Sequence, residues 1–275
     1  MDIFDTAVEA AKQAGTFLRE SVGKVKSIEQ KLGQARNLVS EIDKGSEAMI
    51  VRMIKERHPG HDVLAEESGA HGTPSEYRWI IDPLDGTTNF LHGVPIFSVT
   101  ISVEYKGELI AGVTYDPNRD ELFTAQEGSG AYLNGSKIHV TSTSSLIEGL
   151  LVTGFPYDLA DRYDGILEHF NNFALAAQGV RRLGSAALDL AYVAAGRFDG
   201  FWEVSLNPWD IAAGVLLVKE AGGKVSDLLG APLSIYQKQV VATNGKIHDA
   251  CLEVIARGAM SSDPTLSRRR RQRPS

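Results

Sequence analysis

The 275 residues are 43% hydrophobic and 23% charged, with a net charge of −7 and a single cysteine, Cys251. That is enough chain for one large or two small well-filled cores, and it excludes a disulfide framework or a thiolate metal cage, both of which need several cysteines. The last fifteen residues hold five arginines and one aspartate, +4 in all, so the remainder carries −11; an acidic body argues against a broad nucleic-acid surface and suits carboxylates gathered for divalent cations.

In chain order, Phe4, Val8, Ala11 and Leu18 recur at helical spacing, while Asp2, Asp5 and Glu9 break up the basic start and apolar run that a secretory signal needs. No stretch approaches the roughly 20 apolar residues of a membrane span, and one cysteine makes a reducing cytoplasm the expected setting. A second amphipathic helix follows from Asp43 through Ile50 and Ile54. Residues 63 to 135 predict an antiparallel meander of short strands, with turns at Asp116-Pro117-Asn118 and Asn134-Gly135. Beyond residue 146 the pattern alternates: a helix from Arg162 to Gln178, another from its cap Ser185 to Ala195, a strand at Asp199 to Glu203, a helix opening at Asn207-Pro208, a strand at Gln239 to Ala242, and a helix from His248 to Arg257.

These elements predict an α/β (mixed α+β) fold of two layers sharing one core. Residues 1–145 form an α+β half bearing the main motif, residues 146–260 an α/β half that completes the site, and residues 261–275 an arginine-rich tail with nothing to bury.

The segment Trp79-Ile-Ile-Asp82-Pro83-Leu84-Asp85-Gly86-Thr87-Thr88 sets two carboxylates where an apolar strand stops. Pro83 stiffens that turn and Gly86 permits close backbone approach. A helix starting at Thr87 or Thr88 would aim free N–H groups at an anion such as phosphate. Upstream, Val63-Leu64-Ala65 ends in Glu66 and Glu67; downstream, Asn207-Pro208-Trp209 leads to Asp210 at the third helical position. There an acid either closes a capping box or holds metal, and Asp43 has the same helix-cap reading. Oxygen donors without cysteine or clustered histidine select magnesium or manganese over zinc. His92 reads as a surface residue.

Together, Asp82-Pro-Leu-Asp85-Gly-Thr87-Thr-Asn-Phe, Trp209-Asp210-Ile-Ala-Ala-Gly, Glu66-Glu67-Ser68 and Asn37-Leu-Val-Ser-Glu-Ile-Asp43 resemble the inositol monophosphatase family. This family lies within the lithium-sensitive, magnesium-dependent sugar phosphatases that include fructose-1,6-bisphosphatase, and the resemblance spans nearly all of residues 1–257. It implies a layered α/β/α/β/α sandwich, usually a homodimer, with two to three Mg2+ ions at the substrate phosphate. By motif, Glu66, Asp82 and the Leu84 carbonyl would hold the first ion, Asp82, Asp85 and Asp210 the second, and Glu66 would touch a third. Asp43 and Thr87 would orient and deprotonate the attacking water, with Gly86 and Thr87 N–H groups on the phosphate. Asp85, Ala186 and Glu203 would face the sugar or inositol, Glu203 being otherwise a solvated strand-end acid. The family's lysine before the second helix does not align without a gap at Lys31-Leu-Gly-Gln-Ala-Arg36, so neither Lys31 nor Arg36 receives a role.

Inositol 1-phosphate is the first-choice substrate, with fructose 1,6-bisphosphate, histidinol phosphate and 3′-phosphoadenosine 5′-phosphate as alternatives handled by relatives. The Asp82 to Asp85 spacing is one residue too long for the aspartyl-phosphate signature of haloacid-dehalogenase-type enzymes. Cys251 and Arg257 match a cysteine-phosphatase spacing, but the apolar helical run between them offers no phosphate cradle. Gly128-Ser129-Gly130 reads as a loop. A rival of another class is a regulatory protein whose Arg268 to Arg271 and Arg273 touch RNA or transcription machinery; a solvated tail is the favoured reading of those residues.

Overall fold

A computed structural model describes residues 2–31, 37–157, 159 and 165–261. Chain order is α1 (Ile3–Ser21), β1 (Ile28–Gln30), β2 (Leu38–Ser40), α2 (Glu41–Arg57), β3 (Asp62–Ala65), β4 (Gly69–His71), β5 (Tyr77–Asp85), α3 (Thr87–Leu91), β6 (Ser98–Tyr105), β7 (Glu108–Asp116), β8 (Glu121–Gln126), β9 (Gly130–Leu133) and β10 (Ser136–Ile138). The second half runs β11 (Leu150–Thr153), α4 (Ile166–Ala176), β12 (Gly179–Arg181), α5 (Ala186–Ala194), β13 (Gly200–Val204), α6 (Pro208–Glu220), β14 (Lys224–Ser226), β15 (Gln239–Thr243) and α7 (His248–Ser261). Of the helix expected from Arg162, the described part begins at Ile166. The arginine-rich tail lies outside the described residues, and no described helix is long and apolar enough to cross a membrane.

The strands form an eight-stranded sheet ordered β10-β9-β8-β7-β6-β5-β3-β4 and a five-stranded sheet ordered β12-β11-β13-β15-β14, with β1 and β2 paired apart. Strand parity then builds the layers, because successive side chains point to opposite faces. Ile80 faces a core shared with α5 and α6, while Trp79 and Ile81 face one shared with α1 and α2. In the second sheet, Phe201, Val240 and Ala242 join the middle core, whereas Trp202 and Val241 pack with Phe173 of α4 and Cys251 and Val254 of α7. The result is the α/β/α/β/α sandwich. The expectation of one shared core is corrected to three, since each sheet is apolar on both faces and needs cover on each.

Two local differences follow from packing. The α1 face against the sheet is Ala7, Ala10, Ala11, Ala14 and Leu18 rather than one led by Phe4 and Val8, because small residues let the helix approach closely, with Gly15 against the Tyr115 ring. The first sheet is not a pure meander either. β3 pairs parallel to β5, Ala65 opposite Ile81, with β4 folded back on the outer edge. That parallel pairing places Glu66, just past β3, at the same sheet edge as the end of β5.

β5 does not stop at Asp82. It continues to Asp85, with its ladder to β6 interrupted between those residues, where Pro83 has no N–H to give. In the second sheet β11 runs parallel to β13, Thr153 opposite Trp202, so Gly154 and Glu203 also lie at neighbouring strand ends. The carboxyl ends of both parallel pairs and the first residues of α3, α5 and α6 open into one cavity, the usual place for a site in such sheets.

Candidate active site

The cavity holds about 270 Å³ and is lined by Glu66, Asp82, Leu84, Asp85, Gly86, Thr87, Ala186, Glu203 and Asp210, drawn from both halves of the chain. Asp43 completes the expected set from behind the wall. It is fully buried, and Thr87 Oγ1 lies 2.9 Å from its Oδ1.

The Asp43 side chain has two tasks. Its Oδ2 accepts from Ser40 N at 2.9 Å, closing the capping box of α2, while Oδ1 faces Thr87. The cap and the site reading therefore describe the same carboxylate. Thr87 Oγ1 also lies 3.1 Å from the Leu84 carbonyl. One hydroxyl has one proton, and the shorter bond to an anionic acceptor takes it, leaving Thr87 lone pairs to accept from a molecule in the cavity. Gly86, at φ +94°, caps α3; a side chain there would be strained and would run into the Ile96 carbonyl.

Each of the four acids expected to hold metal is turned toward a protein donor. Asp82 Oδ1 accepts from Leu84 N at 3.0 Å. Asp85 Oδ2 accepts from Ser185 Oγ at 2.5 Å and Ala187 N at 2.8 Å, at the start of α5. Asp210 Oδ2 accepts from Asn207 N at 2.6 Å, closing the box on α6. Glu66 Oε1 meets Lys31 Nζ at 2.7 Å, and the same ammonium reaches Glu67 at 2.6 Å. Accordingly, no three of these acids stand as a ready-made cage among the described residues.

Crowding still marks their chemistry. Burial, followed by the charges of Glu66, Asp85 and Asp210, holds the Asp82 carboxyl well above the usual range. Asp210 is raised by burial and by Glu66, Asp85 and Glu203, against the opposing bond from its own cap. Asp85 is pushed up to about 6 by burial, despite the Ser185 and Ala187 bonds that favour its anion. Burial and the Asp85 charge bring Glu203 to about 8, while burial and Glu66 bring Glu67 to about 7. A buried set of carboxylates raising one another's proton affinity is a site short of positive charge. Its donors are hard oxygens, and among the described residues no cysteine or histidine lines the cavity, so the residues fit a hard divalent cation once their side chains turn from their present donors.

Several residues in or beside the cavity carry no sequence signal of their own. Lys31 enters against Glu66 although the stretch after it defeats alignment; burial opposes its charge, but Glu66 and Glu67 hold the ammonium above its ordinary value. Tyr157, Arg182, Asp189 and Lys238 line the wall from loops and a helix start that read as surface or structural positions. His92 is exposed and Cys251 sits buried in the outer core, as expected of both.

The family profile described as the Inositol monophosphatase family matches residues 2–259. An "Inositol-1-monophosphatase" of Mesorhizobium japonicum is 44% identical over 92% of this chain and 96% of its own. A "Nus factor SuhB" of Pseudomonas aeruginosa is 44% identical over 92% and 95%. Among solved structures, the inositol monophosphatase from Anabaena superposes with a TM-score of 0.84 at 44% identity, covering 92% of this chain and 95% of that one. With the fold, the cavity and the match all in place, the chain belongs to the inositol monophosphatase family and is a phosphoric monoester hydrolase.

Proposed function

We propose that the protein hydrolyses the phosphomonoester of a small polyol, inositol 1-phosphate first, using two or three Mg2+ ions, replaceable by Mn2+, held by Glu66, Asp82, the Leu84 carbonyl, Asp85 and Asp210. The observation that carries this reading is the convergence of Glu66 with the crowded carboxyls of Asp82, Asp85 and Asp210 on a cavity whose wall presents the Thr87–Asp43 pair. Bound cations would lower the pKa of a water and neutralise charge on the phosphoryl oxygens. Thr87, donating to Asp43, accepts from that water and sets its orientation, and Asp43 receives the proton through the hydroxyl. The Gly86 and Thr87 N–H groups face the phosphate, while Ala186 and Glu203 take the alcohol portion.

Phosphate release from inositol 1-phosphate, fructose 1,6-bisphosphate, histidinol phosphate and 3′-phosphoadenosine 5′-phosphate, measured with Mg2+ and with and without Li+, tests the proposal. Inositol 1-phosphate is expected to have the highest kcat/KM, and excess chelator to remove all turnover. Turnover that survives chelation would contradict the mechanism. The seat of Glu203 gives a second check. A methyl group at Gly154 would overlap the Glu203 carboxylate, so Gly154→Ala is expected to raise KM for inositol 1-phosphate about tenfold, roughly 1.4 kcal/mol of binding, with little change in kcat.

A second reading is favoured by the relatives themselves, since proteins named Nus factor SuhB match this chain as closely as those named inositol-1-monophosphatase. Contact with transcription machinery would then coexist with catalysis. An inactive Asp85→Asn protein that still co-purifies with RNA polymerase would support it; absence of binding by the active protein would dismiss it. The family resemblance also supports a homodimer, which sedimentation equilibrium reads directly, and a single buried cysteine suits the cytoplasm.

A further inference from the structure

Asp189 stands out within the cavity wall. It sits in the first turn of α5, three residues beyond Ala186 and so on the same helix face. It is 1% exposed, it lines the cavity, and neither carboxylate oxygen has a hydrogen-bond partner among the described residues. Glu203 shares the wall, is 9% exposed, and its carboxylate likewise has no hydrogen bond to a described residue. Both feel the Asp85 charge, and among the described residues the cation acting on them is Arg182, which is exposed and forms no ion pair with either.

A buried carboxylate with both oxygens unsatisfied is costly, and folded proteins rarely retain one without a use. A leucine here would extend the apolar packing of α5, and an asparagine would remove the charge; the aspartate instead keeps both oxygens unpaired and nearly occluded in the cavity wall, close enough to Glu203 to feel its charge. Two such neighbours are satisfied by a ligand that brings two or more donors side by side. Neutral hydroxyls on adjacent carbons bring such donors in fixed positions; an ammonium group would also supply them, and histidinol phosphate in the substrate set distinguishes the two.

We propose that Asp189 is a specificity-determining residue that, together with Glu203, reads a pair of adjacent hydroxyls on the alcohol portion of the substrate. This rests on the phosphatase reading above and narrows it to polyol phosphates over simple alkyl or aryl ones. A site built to bond hydroxyls discriminates strongly against analogues that lack them, because its own polar groups are then stranded.

The test compares the full-length protein with Asp189→Asn and Asp189→Leu, with Mg2+, on inositol 1-phosphate, on histidinol phosphate and on 4-nitrophenyl phosphate, whose alcohol portion has no hydroxyl donors. Asp189→Leu is expected to lower kcat/KM for inositol 1-phosphate about 10- to 100-fold, mainly through KM. Turnover of 4-nitrophenyl phosphate should stay within about twofold, the melting temperature should be undiminished, and Asp189→Asn should recover part of the loss through its amide oxygen. Equal losses on all substrates would make Asp189 structural, an unchanged ratio would remove it from recognition, and a loss confined to histidinol phosphate would assign it to an amine; each overturns the proposal. Failure of the unaltered protein on every substrate is a distinct result that would remove the phosphatase reading and this inference together.

Discussion

Asp82→Asn is expected to cost about three orders of magnitude or more in kcat, some 4 kcal/mol of transition-state stabilisation, while raising the melting temperature of the metal-free protein. Both effects share one cause. Asp82 is 2% exposed and crowded by Glu66, Asp85 and Asp210, which hold its carboxyl far above the usual range. Asparagine keeps an oxygen for Leu84 N and loses the charge. An acid whose folded pKa lies above its unfolded value favours the fold while protonated, and that support is lost as pH rises through the folded pKa. For Asp85 the loss runs from the ordinary carboxylate range up to about 6, and for Asp82 it starts in the same range and continues to a folded value well above the ordinary one. The gain from Asp82→Asn should therefore be absent near pH 4 and present at pH 7.5. Saturating Mg2+ should stabilise the unaltered protein at pH 7.5, far less at pH 5 where protons compete, and the asparagine variant little at either. Differential scanning fluorimetry over that range reads all three; a variant that is less stable at pH 7.5 and still responds to Mg2+ would show that Asp82 serves the fold instead.

Asp43→Asn should reduce kcat about 10²- to 10⁴-fold with KM little changed, the range typical for loss of a positioned proton acceptor. The carboxylate is sealed behind Thr87, so anything it does to the reacting water passes through that hydroxyl. Thr87→Ala should show a loss of similar size, Thr87→Ser should restore most of it, and combining Thr87→Ala with Asp43→Asn should add little, because two links of one relay are not additive. Asparagine retains an oxygen for the α2 cap, so stability should fall by only about 1 kcal/mol or less. A kcat within about threefold of the unaltered protein would leave Asp43 as a helix cap alone.

Asp82 and Asp85 were legible in the sequence because few structural demands put two acids around a Pro-Leu pair at the end of an apolar strand. Asp43 and Asp210 were legible as caps, which they are; their second task depends on neighbours more than 40 residues away, such as Thr87, that no local pattern reports. Lys31 was lost because the chain between it and Asp43 breaks register with the family, while the spatial contact with Glu66 depends on where β1 is held. Asp189 resembles any acid in a helix's first turn, and only its missing partners distinguish it. The helices were readable from spacing, but the parallel pairing of β3 with β5 was hidden by the short β4 excursion. That one pairing decides that Glu66 and Asp82 meet at all.

The cavity draws its walls from both sheets and the helical layer between them, and this orders events as the chain folds. The Ser185 to Asp85 bond spans 100 residues, and Asp210 arrives later still. Contacts of such separation are entropically expensive to close and form late. The first sheet can bring Glu66, Asp82 and Asp85 together while they remain wetted; the burial and the Asp210 charge that complete their crowding come with the middle layer. The same layer that buries the carboxylates also brings the Ser185, Ala187 and Asn207 donors that hold them, so the burden and its partial relief come from one docking surface.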